Sequence, residues 1–188
     1  MQFSEQLSQS TKDSHFNVDK HNFVKLIQID DYAGDLYINL NKLCISIIQK
    51  TIRDNNDDQY KNFNILFEKL YRELDIFDLY ITPNINRLIN RCKEYPIEHA
   101  YMFYIGLLFG GSLLSKKLPK HAEFLKFEDK SSLIKEFREY LNVNITYRDQ
   151  FIKVVNESYD VIKNIFDEFE NKFKIIDSGK LYKKWLEK

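Results

Sequence analysis

Residues 96–119 have the sequence PIEHAYMFYIGLLFGGSLLSKKLP, and this stretch decides the fold. Its apolar residues do not alternate as in a strand, so it predicts a helix that begins at its first proline and ends before its last. Of the 5 glycines in the chain, three lie here, at Gly106, Gly110 and Gly111. A glycine inside a helix costs about 1 kcal/mol relative to alanine, and three together are expected to kink it. Some gain must offset that cost.

Two explanations for these glycines are open. The first is tight packing against another helix through small residues. The second is close approach of the backbone to something large and flat. At helical spacing one face carries Phe103, Gly106, Leu107, Gly110 and Leu114. Such a face predicts a smooth surface with few side chains.

The rest of the chain predicts one all-helical domain. Only 5 glycines and 3 prolines are present and 44% of the residues are hydrophobic, which suits long helices around one core. We expect the core over about residues 3–174 and a charged C-terminal tail over about 175–188. Further helices are predicted at about residues 30–52, 60–77, from 83, 131–141 and 146–173, with a surface loop at 119–130.

The N-terminal segment carries a histidine on its apolar face. Four residues follow one another at intervals of four: Phe3, Leu7, Thr11 and His15. They therefore share one face of a helix, and we expect that face to point into the core. A histidine on such a face is either a core residue or a ligand. The other histidines are weaker candidates because of where they stand: His21 near a turn, His99 ahead of the glycines and His121 in the predicted loop.

The composition predicts against several classes of protein. Lysine plus arginine (28) equals aspartate plus glutamate (28), so the basic excess of a nucleic-acid binder is missing. Cys44 and Cys92 form no C-x-x-C pair, which predicts neither a zinc site nor a disulfide framework. The N-terminus lacks the apolar core of a signal peptide, and the uncharged stretch 100–115 is shorter than the ~20 residues of a membrane span. We therefore expect a cytoplasmic protein without a membrane anchor.

Taken together, these segments resemble the heme oxygenase family. Residues 3–19, FSEQLSQSTKDSHFNVD, resemble its proximal helix, and residues 99–114, HAYMFYIGLLFGGSLL, resemble its distal helix. Two later stretches, 137–142 (FREYLN) and 155–170 (VNESYDVIKNIFDEFE), resemble further helices of the family. The resemblance implies a single all-α domain that holds heme b between its first helix and a glycine-kinked distal helix.

The resemblance also implies residue roles. His15 matches the axial iron ligand and Asp19 the acid that follows it. Lys12, Tyr101 and Arg138 match positions that reach the heme propionates. The remaining residues implied to touch the heme are Gly106, Gly110, Gly111, Tyr159 and Phe166. The implied catalytic positions on the distal side are Gly106, Leu107 and Gly110.

The distal side departs from the family pattern. Leu107 stands where the family has an aspartate, Phe103 where it has an arginine, and Leu40 where it has a tyrosine. Those three family residues hold an ordered water network beside the iron, and apolar side chains cannot hold water in place. The serine before the glycine pair is replaced by Phe109.

Two functions are therefore open. In the first, the protein is a heme oxygenase that takes electrons from a reductase or ferredoxin and uses O₂ to open heme to biliverdin, Fe²⁺ and CO. Backbone groups near Gly106 and Gly110 would then order the distal water. In the second, it is a non-catalytic heme-binding or interaction protein on the same scaffold, a class that includes a helical protein without heme.

Overall fold

The computed structural model describes residues 1–55, 58–71, 74 and 79–176, and every regular element in these residues is helical. The all-α prediction is therefore confirmed. The helices are α1 (Phe3–Ser10), α2 (Lys12–Asp19), α3 (Asn22–Ile27), α4 (Asp31–Asp54), α5 (Asp58–Leu70), α6 (Pro83–Glu94), α7 (Pro96–Ala100), a π-helical segment (Tyr101–Ile105), α8 (Gly106–Lys117), a 3-10 turn (Pro119–His121), α9 (Ala122–Leu125), α10 (Lys130–Asn144) and α11 (Arg148–Ile176).

Local sequence signals explain where the long helices begin. The Asp30 carboxylate accepts the Ala33 N–H at 2.8 Å and caps α4. Thr82 caps α6 in the same way, through the Ile85 N–H at 3.2 Å, and Pro83 opens that helix. α11 packs against α2, α3 and α6, while α4 packs against α3, α6 and α7. The two longest helices thus frame the core.

The segment predicted as the distal helix is one continuous helix, Pro96–Lys117. Its irregularity lies at Tyr101–Ile105, where the backbone is π-helical, and Gly106 has ordinary α-helical angles (φ −56°, ψ −46°). The departure from α geometry that we expected at the glycines therefore lies just before them. π-Helical turns inside α-helices occur frequently at functional sites.

The predicted first helix is two helices, which corrects the sequence analysis. The chain leaves α geometry at Thr11 (φ −106°, ψ −1°), where the buried hydroxyl donates to the Leu7 carbonyl at 2.8 Å. Phe3, Leu7 and Thr11 lie in the core, as expected. His15 does not: its side chain is 48% exposed. The inward face therefore ends at Thr11.

Two other predicted bounds change. Residues 119–130 are not a simple surface loop, because they form the 3-10 turn and α9, and Phe124 and Leu125 of α9 are buried. α5 ends at Leu70 instead of near residue 77. Of the predicted helix 60–77, residues 72, 73 and 75–78 lie outside the described residues, as do residues 177–188 of the tail predicted over about 175–188.

Pro96–Lys117 is the helix, among the described residues, that has the length and composition of a membrane span. It has 22 residues and a mean hydropathy of 1.2 over its most apolar window. This helix is longer than the uncharged stretch 100–115, from which we predicted that the chain has no membrane anchor. Of the residues in that window, 56% are buried inside the domain. A mostly buried core helix of a globular protein can have the same length and hydropathy, so these two values are weak evidence for a membrane span.

Candidate functional site

His15 stands on α2 with an exposed imidazole that two neighbours hold in place. Its Nδ1 lies 3.1 Å from Asp19 Oδ2, one helical turn along the same helix. Its ring meets the Tyr159 ring of α11 edge to face, with the centroids 5.4 Å apart. A carboxylate at Nδ1 fixes the ring orientation and directs Nε2 away from the helix, as second-shell partners do for metal-ligating histidines.

Tyr159 links this histidine to a buried group of phenols. Burial raises the pKa of Tyr159 well above its ordinary value, and the neighbouring Tyr101, Asp19 and Tyr37 raise it further. The phenol is therefore neutral at physiological pH. The sequence assigned His15, Asp19 and Tyr159 to one site, and the structure places the three together.

Phe166, one of the residues implied to touch heme, belongs to the aromatic core two turns further along α11. Its ring centroid lies 5.1 Å from that of Phe23, 5.8 Å from that of His21 and 6.3 Å from that of Tyr37. The residues predicted from the sequence near this site did not include Tyr37. A signal was available, because Tyr37 lies on α4 one turn before the position where the family tyrosine was expected.

α8 presents an open apolar face. A Cβ atom added to Gly106 or to Gly110 would meet nothing within 4 Å. Beside them Phe109 is 51% exposed and Leu113 is 70% exposed. A helix face that combines bare backbone with exposed apolar side chains is suited to a flat apolar ligand.

The face predicted from helical spacing needs two corrections. Phe103 and Leu107 are buried, so they belong to the core and not to the open face. Gly111 is also buried, and a Cβ atom there would press into the carbonyl oxygen of Leu125 on α9. The packing explanation therefore accounts for Gly111, whereas the open-face explanation fits Gly106 and Gly110.

Tyr101, in the π-helical segment before α8, contacts Thr11, the residue before α2. Burial raises the pKa of this phenol, while a hydrogen bond with the Thr11 side chain and the nearby Arg138 guanidinium partly lower it. The Arg138 guanidinium also lies 6.0 Å from the centre of the Phe109 ring. Lys12 follows Thr11 in the chain and is exposed. Tyr101 and Arg138 therefore lie near each other, at the end of the site where α2 begins.

The three positions at which the family holds its distal water network carry buried apolar side chains here, and we call them the dry distal positions. Leu40, Phe103 and Leu107 are 2%, 7% and 3% exposed, and all three belong to the hydrophobic core. None of these side chains can hold a water by hydrogen bonds.

His99, the best rival of His15 as a ligand, is buried at 0% exposure, with Nδ1 2.7 Å from the Tyr95 carbonyl oxygen. Burial lowers its pKa to about 4, so the ring is neutral. It forms part of the packed interior, whereas His15 is exposed.

Comparison with solved structures gives the fold. The chain is similar to a heme oxygenase from Leptospira interrogans, with a TM-score of 0.74 and 15% identity over 89% of this chain and 100% of that one. It is also similar to heme oxygenase-1 from the cyanobacterium Synechocystis sp. PCC6803 in complex with heme, with a TM-score of 0.68 and 18% identity over 94% and 96% of the two chains. No protein-family model and no curated protein matches the sequence. The chain has a heme oxygenase-like fold.

Proposed function

We propose that this protein binds heme b between α2 and α8, with His15 as the iron ligand. Two observations carry the proposal: α2 has an exposed imidazole oriented by a carboxylate, and α8 has an open face at its glycines. A neutral imidazole held in this way is a common metal ligand. The fold shared with a heme-bound structure supports the proposal.

The residues present fit the chemistry of heme. The macrocycle is flat and apolar, and Gly106 and Gly110 leave room beside α8 where any larger residue would place a side chain. Phe109 and Leu113 supply exposed apolar area along the same face. The propionates are anionic, and Lys12, Tyr101 and Arg138 can hold them by charge and hydrogen bonds.

For the reaction, we propose that the protein is a heme oxygenase that opens heme to biliverdin, Fe²⁺ and CO. Bound heme supplies iron that activates O₂ when electrons arrive from a reductase or ferredoxin. His15 and Asp19 would orient the ring, and the backbone groups near Gly106 and Gly110 would have to order the water that the reaction needs. We place the protein in the cytoplasm, where such electron donors occur.

A second candidate follows from the dry distal positions. Leu40, Phe103 and Leu107 are buried and apolar together, so no side chain at these positions can fix a distal water. A protein built in this way can bind heme without opening it. In this second function the chain is a non-catalytic heme-binding protein on the same fold.

The experiment that separates the two functions is reduction of the heme complex under air, with catalase present to remove free peroxide. The first function predicts biliverdin and CO in equal amounts, and the second predicts heme that stays intact and bound. Gly110→Leu is the control, since at a heme concentration that just saturates wild type its weaker binding should leave little heme in the site and so give little biliverdin. A wild-type chain that fails to bind heme would contradict both functions.

A further inference from the structure

A second group of metal-ligating side chains lies outside the proposed heme site, where the segment after α2 meets α11. His21, Asp167 and Glu170 each offer one ligand atom here, and these atoms all lie within 4.8 Å of one another. His21 Nε2 is already 3.0 Å from Asp167 Oδ1. Donors around a metal ion with bonds of about 2.0–2.2 Å are separated by roughly 3 Å, so small side-chain rotations would complete the set.

The three side chains differ in solvent exposure, and this difference would leave one side of a bound ion open to water. The His21 side chain is 8% exposed and Glu170 is 6% exposed, whereas Asp167 is 54% exposed. Two ligands are thus shielded from solvent, and the third faces it, where water can complete the coordination. Asp167 and Glu170 lie three residues apart on α11 and so share one helix face.

We propose that His21, Asp167 and Glu170 form a binding site for a divalent first-row transition metal ion. An imidazole nitrogen with two carboxylates is a donor set for zinc, cobalt or iron, whereas magnesium and calcium prefer oxygen ligands alone. The ion would tie the segment that follows α2 to α11. The proposal goes beyond heme binding and does not depend on it.

Metal binding at His21 would change the hydrogen bond that caps α3. His21 is the N-cap of α3, and its Nδ1 accepts the Phe23 N–H at 3.1 Å. Because a backbone N–H can only donate, Nδ1 carries the lone pair and Nε2–H donates to Asp167 in the metal-free chain. An ion on Nε2 requires the proton to move to Nδ1. The Phe23 N–H then loses its acceptor.

The test is titration of the full heme-free chain with Zn²⁺ by calorimetry and with Co²⁺ by visible absorption. We expect one ion per chain. Loss of an outer-shell partner of a metal site typically costs about 10- to 100-fold in affinity, and His21→Asn and Glu170→Gln should each cost at least that much because they remove direct ligands. Asparagine is a good N-cap, so His21→Asn keeps α3 capped while it removes the imidazole. Circular dichroism of each variant checks that it is folded.

His121→Asn is the matched control. His121 forms a similar pair, with Nε2 2.7 Å from Asp35, but Lys120 already neutralises that carboxylate. This variant and His15→Ala should bind the ion as tightly as wild type. Equal affinity in wild type and His21→Asn, or no binding at all, would overturn the proposal, and Ca²⁺ bound as tightly as Zn²⁺ would overturn the metal class.

Hydrogen exchange gives a readout that non-specific ion binding would not move. Loss of the cap should speed exchange of the Phe23 amide by roughly 2- to 30-fold on addition of Zn²⁺, the range that corresponds to the stability of an N-cap. Unchanged exchange at Phe23 with one bound ion would place the ion elsewhere and contradict the proposed ligation.

Discussion

The two halves of the helix Pro96–Lys117 reverse the usual distribution of polar and apolar residues. The first half buries groups that can carry charge, since Glu98 is 3% exposed and His99 is 0% exposed. The second half leaves Phe109 and Leu113 51% and 70% exposed. The π-helical segment joins the two halves.

This difference shows which half is built to meet a ligand. Exposed apolar side chains beside bare glycines gain most by contact with another apolar surface, which is why we propose the second half as the binding face. Burial favours the neutral forms of Glu98 and His99, and their near-complete burial places the first half in the interior of the domain.

The largest effect is expected at Gly110. Gly110→Leu should lower heme affinity by up to roughly 100-fold, since a side chain inserted into a filled site costs up to about 3 kcal/mol. The protein itself has open space there, and leucine favours helix more than glycine does, so helical circular dichroism should be kept. Heme titration followed by the Soret band measures the loss.

Gly111→Ala is the contrasting variant. Its Cβ would press into the Leu125 carbonyl, so the free energy of unfolding should fall by about 1–3 kcal/mol while the folded fraction still binds heme. If both variants lose stability and neither changes heme affinity, the glycines serve packing alone.

The second prediction concerns the dry distal positions. Loss of a buried hydrogen bond of this kind costs about 1–3 kcal/mol, so wild-type ring opening should be roughly 5- to 150-fold slower than with a fixed water. Leu107→Asp alone should help little, because a carboxyl group at a 3% exposed position is desolvated and stays protonated. Leu40→Tyr, Phe103→Arg and Leu107→Asp together should raise the biliverdin yield per heme.

Denaturant unfolding must accompany that comparison, because all three positions lie in the core and new polar groups there lower stability. A triple variant that is folded and heme-bound but forms no biliverdin would show that the distal network is not what limits the reaction. Wild type that already turns over as fast as the triple variant would show that backbone groups alone suffice.

The third prediction tests the buried half by pH. Burial raises the pKa of Glu98 from 4.5 to about 7, so the folded state holds a proton that the unfolded state releases. Glu98 therefore makes stability fall as pH rises from about 4.5 to about 7. His99 acts in the opposite direction, because its pKa is lowered from 6.5 to about 4, and its contribution rises with pH over that window.

Glu98→Gln should remove the loss of stability with rising pH that Glu98 causes, and leave the gain of stability that His99 causes. Its free energy of unfolding should rise between pH 4.5 and 6.5, and above pH 7 it should exceed that of wild type by up to about 3 kcal/mol. Urea unfolding at pH 4.5, 5.5, 6.5 and 8 measures both curves. Parallel curves for the variant and wild type would mean that Glu98 is not the buried acid described here.

The smallest effect is expected at the cations. Lys12→Ala and Arg138→Ala should each weaken heme binding by no more than about fivefold, since exposed charge pairs contribute about 0–1 kcal/mol. The double variant should change which biliverdin isomers form if, as we propose, these cations set the direction of the propionates. Lys20→Ala, on the same segment but stacked on Phe16, is the control. A single unaltered isomer from the double variant would refute this role.

Much of the fold could be predicted from local signals. Pro83 and Pro96 open helices where expected, and Asp30 caps the long helix α4, because proline and capping residues act on their own backbone neighbours. The pairing of His15 with Asp19 also follows from spacing along one helix. These features depend on residues within a few positions of each other.

The features that could not be predicted depend on distant neighbours. Gly110 and Gly111 are adjacent and identical in sequence, yet Leu125 packs against one and leaves the other open. The spacing from Phe3 to His15 gave a common face but not the break at Thr11 that leaves His15 exposed. An apolar run without charges also gives no sign of where its helix becomes π-helical.

The central claim is that heme lies between His15 and the glycine face, and one titration tests it most directly. Heme should bind wild type at one equivalent with a histidine-ligated Soret spectrum. His15→Ala should lose that spectrum and recover it with added imidazole, while His121→Ala, which alters a histidine paired with Asp35 elsewhere, should match wild type. An unchanged Soret spectrum in His15→Ala would contradict the account.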